Sequence, residues 1–468
     1  MTLAKPENSK VWVDATLVLK GGIETATGIP RVEAGLCQYA LKNDEIGLAY
    51  FDQSTGRYVV MDDYSKSYLN FLINENASRK ASTYSETVKK NFRYLLFQAL
   101  NGRTRAAKRV SGAIAGNSRA AKYVYPFIYI IIYVILLLLS ATKFVRKNSH
   151  LNLPSTKSIM LTSFSVKQNK KLDAALAKFG AVEAHIFYDI IPILHPDFLN
   201  EKLSRAVVAW MSRALKRNAP IVTISQAVAE EVLAWNERDV KADRTLPIKA
   251  CKLTVPFDVG SGDVEAVPQL TGKYFAMFVS SIDVRKGQDH LIRVWKLLAK
   301  RFDDALLPDL VLIGRKGNGW KALESELQDL GPLAQKIHVL SDVGDAQLRW
   351  CYKHASFSLF PSVAEGWGLG VSESLAYNLP VLHSDIPVFH EVSQGLMPCA
   401  PARDIEAWAA KIADFIQKPN ELARLEQIIK DEYVSGEPDD FARCALAYFE
   451  LLHMEMTKSA TATALPMA

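Results

Sequence analysis

The stretch 360–391, FPSVAEGWGLGVSESLAYNLPVLHSDIPVFHE, sets two carboxylates, Glu365 and Glu373, eight residues apart across a glycine-studded bend. Its flanks are short apolar runs, Phe357 to Phe360 with a proline behind it and Pro380 to His383, and both read as buried strands. Between them Ser372 to Tyr377 is compatible with a helix. Gly366, Gly368 and Gly370 break or open a helix and let the backbone pass close to something bulky. The unit is strand, glycine loop, helix, strand. Backbone N–H groups around Gly368, Leu369, Gly370 and Val371 then face the loop at the positive end of a helix, which favours a phosphate or other anion. Glu365 stands before the helix, where it can accept hydrogen bonds from hydroxyls, and Glu373 lies in its first turns, where it can hold a ribose diol.

Other readings compete. The glycines can simply make a tight connection, with the glutamates as solvated helix-start residues. A dinucleotide fingerprint, with Asp385 as the ribose acid, fits less well because the spacing is G-x-G-x-G. A hydrolase pair of carboxylates fits poorly too, since eight residues at about 1.5 Å each put the backbones roughly 12 Å apart. The E-x7-E segment, the preceding F-P-S and the following L-P-V and S-D-I-P-V-F-x-E-V together resemble the retaining glycosyltransferase family 4. That resemblance covers most of Gly272 to Gln417 and extends weakly into the N-terminal half.

A chain of 468 residues suits two domains, and 49% apolar with 23% charged residues is globular. The resemblance implies a GT-B arrangement, two Rossmann-like α/β domains facing across a cleft. The expected boundaries are 1–258 for an acceptor domain, 270–435 for a donor domain, 436–457 for a returning helix and 458–468 for a frayed tail. Expected strands are Val11 to Asp14, Gly47 to Phe51, Ser158 to Thr162, Val182 to Tyr188 and Ile221 to Ile224. In the second half they are Tyr274 to Ser280, Leu310 to Ile313 and Ile337 to Leu340, with the two already named. Asp52 to Asn152 breaks this rhythm and reads as an insertion. Five scattered cysteines with no C-x-x-C suggest reduced thiols, no disulfide framework and no structural zinc. Met1 to Lys10 carries no apolar run, so no secretion signal is expected.

Charge is uneven. From Thr87 to Leu172 there is no Asp or Glu but sixteen Lys and Arg, in a chain whose net charge is +6. This implies an anionic partner. Within it Tyr123 to Ser140, YVYPFIYIIIYVILLLLS, is uncharged and, as a helix, about 27 Å long. A true crossing there would split the first domain across a membrane, so the insert, about 87–150, is expected to lie on or dip into the inner face of a plasma membrane. A buried core helix is the alternative. No nucleic-acid module is recognisable.

The resemblance implies transfer of a sugar from a nucleotide diphosphate sugar with retention of configuration. In FVSSIDVRKG, Lys286 matches the family's phosphate-binding lysine, Ser281 stands where a first basic residue is commoner, and Arg285 is adjacent. Lys286 and Arg285 would neutralise the leaving diphosphate, Glu365 would hold donor-sugar hydroxyls, and Glu373 the ribose. No D-x-D stands at a strand end, so neither metal nor cofactor is expected beyond the nucleotide sugar as co-substrate. On the acceptor side the loop of Gly21, Gly22 and Gly28 to Arg31 resembles one that faces the cleft. Asp189 is the first choice for an acceptor contact, with His185 and Ser225 as further candidates. The Arg-Lys spacing is similar to mannosyl-transferring relatives, which leans the donor towards GDP-mannose and the acceptor towards a lipid-linked saccharide in surface polysaccharide synthesis. Alternatives are a membrane-bound interaction protein with a decayed transferase site, and a soluble sucrose- or trehalose-type synthase.

Overall fold

The structure, a computed structural model, describes residues 9–19, 28–52, 56–77, 158–162, 170–198, 200–242, 245–254, 262–328 and 330–463. The apolar segment Tyr123 to Ser140, nearly all of the acid-free stretch around it, and Gly21 and Gly22 lie outside them. Among the described residues no helix is long and apolar enough to cross a membrane.

The first domain is built on a seven-stranded sheet, β1 (Val11–Asp14), β2 (Ile46–Asp52), β3 (Arg57–Val60), β4 (Ser158–Leu161), β5 (Ala181–Phe187), β6 (Ile221–Thr223) and β7 (Ile248–Ala250), in the order β3-β2-β1-β4-β5-β6-β7. All neighbours are parallel except β2 and β3. The second domain carries β8 (Phe275–Val279), β9 (Asp309–Ile313), β10 (Ile337–Leu340), β11 (Phe357–Phe360), β12 (Val381–Ser384) and β13 (Cys399–Ala400), all parallel, in the order β10-β9-β8-β11-β12-β13. Strands such as β9, DLVLI, and β11, FSLF, are buried throughout because helices cover both faces of the sheet. Chain order reverses at β8, which lies between β9 and β11, and in such sheets ligands bind beyond the carboxyl ends of the strands at that reversal.

Three expectations change. The segment Asp52 to Asn152 is not all insertion: β3 pairs with β2, and the helix Asp63–Ala77 packs against the helix Gly28–Lys42. The terminal helix runs Asp440–Thr463, into the span read as a tail, and lies on β1, β4 and the helix Gly28–Lys42. Cys251, just after β7, and Cys444, in that terminal helix, form a disulfide across 193 residues, with Cα atoms 5.8 Å apart. The reading of all thiols as reduced is therefore corrected for this pair, while Cys37, Cys351 and Cys399 are free.

Candidate active site

Two loops leave the carboxyl ends of β8 and β11 side by side. The first turns at Asp283, whose carboxylate accepts from Arg285 N at 3.1 Å, passes through Val284–Lys286, and reaches Gly287 at φ +80° before the helix Gln288–Leu298. Gly287 is required twice over, because its φ is left-handed and a Cβ there would stand 2.9 Å from the Pro361 carbonyl oxygen. The second loop runs Pro361 to Gly368 and enters the helix Leu369–Ala376. One backbone bond and one side-chain bond knit the two: Val363 N donates to Arg285 O at 2.8 Å, and the Arg285 guanidinium Nη1 donates to Ala364 O at 2.8 Å. The knitting fixes where three side chains point. Arg285 Nη1 donates to Glu365 Oε2 at 2.8 Å, Lys286 Nζ donates to Glu365 Oε1, and Ser362 Oγ donates to the same Oε1 at 2.9 Å.

This cluster is nearly closed to solvent, with side-chain exposures of 7% for Glu365, 14% for Lys286 and 22% for Arg285. Burial pushes the Glu365 carboxyl up, but Arg285 and Lys286 outweigh it and hold the group at about 2. Burial lowers the Lys286 ammonium, with Glu365 opposing. The guanidinium is lowered by burial and raised on balance by Glu365. Across the domain boundary Asp189 accepts from Ile191 N at 3.0 Å. Burial raises its carboxyl on balance, against the fields of Arg285 and Lys286, and a Cβ on Gly366, next to Glu365, would stand 3.2 Å from Asp189 Cβ. Burial and the charge of Asp189 push Glu231 up to about 7.

Other expected residues fall differently. Glu373 is 4% exposed and its Oε2 accepts from Tyr352 Oη at 2.6 Å, so a ribose diol would share this carboxylate with a tyrosine. Gly368 lies at φ +101°, and a Cβ on Gly370 would stand 2.4 Å from the Phe360 ring. A Cβ on Gly366 would stand 1.9 Å from Tyr188 O, so the bulky neighbour of this glycine is the other domain. Val371 N already donates to Gly368 O at 2.9 Å, and the N–H groups of Leu369 and Gly370 are those that a helix start leaves without intrahelical acceptors. Gly28 opens the helix Gly28–Lys42, and Gly22 lies outside the described residues. His185 is not in the cleft: it is 1% exposed, edge-on to Trp210, and burial with Arg213 and Arg217 lowers it to about 3. Ser225 caps its helix through Val228 N at 3.1 Å and also donates to Gly366 O at 3.0 Å.

Sequence reasoning missed Ser362, Glu231 and Glu391. Ser362 had a signal, standing three residues before Glu365 in the quoted stretch. Glu391 accepts from Gln226 N at 2.9 Å and Ala227 N at 3.0 Å in the other domain. Among the described residues, Asp385, His390 and Cys399 bring potential metal-ligand atoms within 4.8 Å of one another, and none of the site residues is among them. A cavity of about 700 Å³ between Lys252 to Thr254, Trp367 and Tyr433 to Gly436 is lined by Glu391 but by none of Arg285, Lys286 and Glu365.

Residues 264–432 match the family model of the group 1 glycosyl transferases. A serotype-specific mannosyltransferase, WbdA of Escherichia coli, is 26% identical over 248 residues, covering 49% of this chain and 30% of that protein. The O-antigen chain mannosyltransferase RfbU of Salmonella typhimurium is 25% identical over 244 residues, 52% of this chain and 63% of that protein. The chain thus matches under a third of the first relative's length and under two thirds of the second's. Among solved structures, the trehalose-6-phosphate phosphatase N-terminal domain of Candida albicans superposes with TM-score 0.57 at 11% identity, over 97% of this chain and 98% of that one. An α,α-trehalose-phosphate synthase of Burkholderia xenovorans gives 0.50 at 13% identity, over 77% and 81%. At these identities the likeness is one of fold, two Rossmann-like domains in the GT-B arrangement.

Proposed function

We propose, from the match of residues 264–432 to the group 1 glycosyl transferases, that the protein is a retaining, metal-independent transferase moving a sugar from a nucleotide diphosphate sugar to a saccharide acceptor. The observation that carries the proposal is the convergence of Arg285, Lys286 and Glu365 at the reversal of the second sheet, with Asp189 of the first domain beside Gly366.

The chemistry follows from the charges. As the glycosidic bond breaks, negative charge grows on the leaving diphosphate, and fixed cations in a water-poor site stabilise it strongly. Arg285 and Lys286 supply that charge, with the Leu369 and Gly370 N–H groups at the adjacent helix start. Glu365, held at about 2, stays ionised at neutral pH, so it accepts hydrogen bonds from sugar hydroxyls and has no proton to give. Bound to two cations and a serine, it is also a poor nucleophile. In line with the resemblance to retaining family 4 enzymes, the acceptor proton goes to the departing diphosphate oxygen, on the face where the new bond forms, and configuration is kept. Asp189 orients the acceptor, and Glu373 with Tyr352 takes the ribose.

Mannose as the sugar, carried as GDP-mannose, is supported by the names of the two bacterial relatives and by the Arg285-Lys286 pattern. A lipid-linked acceptor at the cytoplasmic face of the plasma membrane is supported by the sequence of the acid-free stretch and of Tyr123 to Ser140. A donor screen by nucleotide release tests the reading: GDP should appear from GDP-mannose with a polyprenyl-diphosphate-linked saccharide present. No release from any nucleotide sugar, by wild type and Glu365→Ala alike, would refute it.

A further inference from the structure

We propose that Glu391 is a positioning residue: it latches the two domains shut over the Arg285–Lys286–Glu365 cluster by capping a helix of the opposite domain. The inference rests on the transferase reading above and adds a residue and a role to it.

Glu391 lies in the short helix Pro387–Val392 of the second domain, and its two carboxylate oxygens each take one backbone donor, Gln226 N at 2.9 Å and Ala227 N at 3.0 Å. Those are the first two residues of the helix Gln226–Trp235 in the first domain. Their N–H groups have no acceptor within the helix, and the positive end of its dipole favours an anion. The third donor, Val228 N, is met by the helix's own Ser225. One helix start is thus satisfied jointly, by its own serine and by a carboxylate from across the boundary.

The segments tied by this contact are those that carry the chemistry. Ser225 also holds Gly366 O, next to Glu365, and Gly366 lies against the carbonyl of Tyr188, next to Asp189. The same helix carries Glu231, which feels Asp189. With Glu365 only 7% exposed, a nucleotide diphosphate sugar reaches the cations only when the domains part. Parting must break both Glu391 bonds. Glu391 is partly exposed and borders the 700 Å³ cavity, so water can replace its partners, which suits a contact that opens and closes.

The test uses the full-length protein with Glu391→Ala, Gln226→Pro and the double variant. Proline at the first helical position keeps the helix but deletes one latch donor, and Ser225, at φ −153° and ψ 161°, already has the extended backbone that precedes proline. Each single change should lower kcat/KM for transfer on the order of tenfold, the scale of charge-assisted hydrogen bonds. The double variant should lose no more than the worse single. Small-angle scattering with saturating GDP should show wild type more compact than all three variants. Losses that multiply in the double variant, kcat/KM and compactness equal to wild type, or a loss of activity that disappears when corrected for the folded fraction would each overturn the proposal. If wild type transfers no sugar, the functional reading fails, and the scattering comparison still decides on the latch.

Discussion

Replacing Glu365 with glutamine removes the carboxylate bonded to both Arg285 and Lys286 and leaves Asp283 3.8 Å from Arg285, and the size of the effect follows from the titration of Glu365. The group sits at about 2 instead of 4.5. A carboxyl depressed by folding adds stability that is present above its unfolded value, near 4.5, and is lost as pH falls through about 2. At about 1.4 kcal/mol per pH unit, the displacement corresponds to about 3 kcal/mol. Breaking a buried pair by deleting one partner costs a similar amount, about 3–5 kcal/mol. Glu365→Gln should therefore be less stable than wild type by about 3 kcal/mol at pH 7 in urea titrations, and the gap should narrow as pH falls from 4.5 towards 2. The cations, left with the more distant Asp283, should also seek another anion. GDP should raise the melting temperature of the variant more than that of wild type, while transfer falls about 10²–10³-fold, the scale of losing a preorganised electrostatic contact. Equal stability of the two proteins at pH 7, or equal stabilisation by GDP, would show that the carboxylate does not balance these cations.

Further outcomes follow from other parts of the structure. Gly366→Ala puts a methyl group where Tyr188 O stands, so it should cut transfer about 100-fold by holding the domains apart, and leave melting close to wild type. A large fall in melting temperature would instead mean that the glycine serves only folding. Thiol titration of denatured, unreduced protein should count three free thiols, Cys37, Cys351 and Cys399, and a count of five would contradict the Cys251–Cys444 bond. Glu231, raised to about 7 by burial and Asp189, loses stability for the fold as pH climbs from 4.5 through 7. Glu231→Gln should therefore melt higher than wild type above pH 7 and equal to it below pH 4.5. A melting difference that does not change with pH would count against that burial.

The convergence of Arg285, Lys286 and Glu365 was legible because local sequence dictates it. An apolar strand, a proline, three glycines at alternate positions and a helix admit few backbones, and Arg285, Lys286 and Glu365 each sit in a loop at the end of a buried strand. What escaped depends on contacts distant in sequence. Nothing near Glu373 announces Tyr352 as its partner. Cys251 and Cys444 pair across 193 residues, a spacing that carries no signal. The chain from Arg57 to Ala77 read as insertion because one short antiparallel strand, RYVV, interrupts a parallel pattern. His185 looked cleft-facing only because Asp189 is close by in sequence. It lies on β5, buried against Trp210, while the chain turns out of the sheet before it reaches Asp189. Glu391 acts between domains, and one motif read alone has no information about the other domain's helix.

The most direct measurement is sugar transfer itself, followed by NMR of the product's anomeric centre, with wild type and Lys286→Ala. Wild type given GDP-mannose and a polyprenyl-diphosphate-linked saccharide should yield a product with the donor's anomeric configuration, and Lys286→Ala should lose at least about 100-fold in rate through loss of diphosphate neutralisation. An inverted product, or a Lys286→Ala enzyme as fast as wild type, would contradict the account.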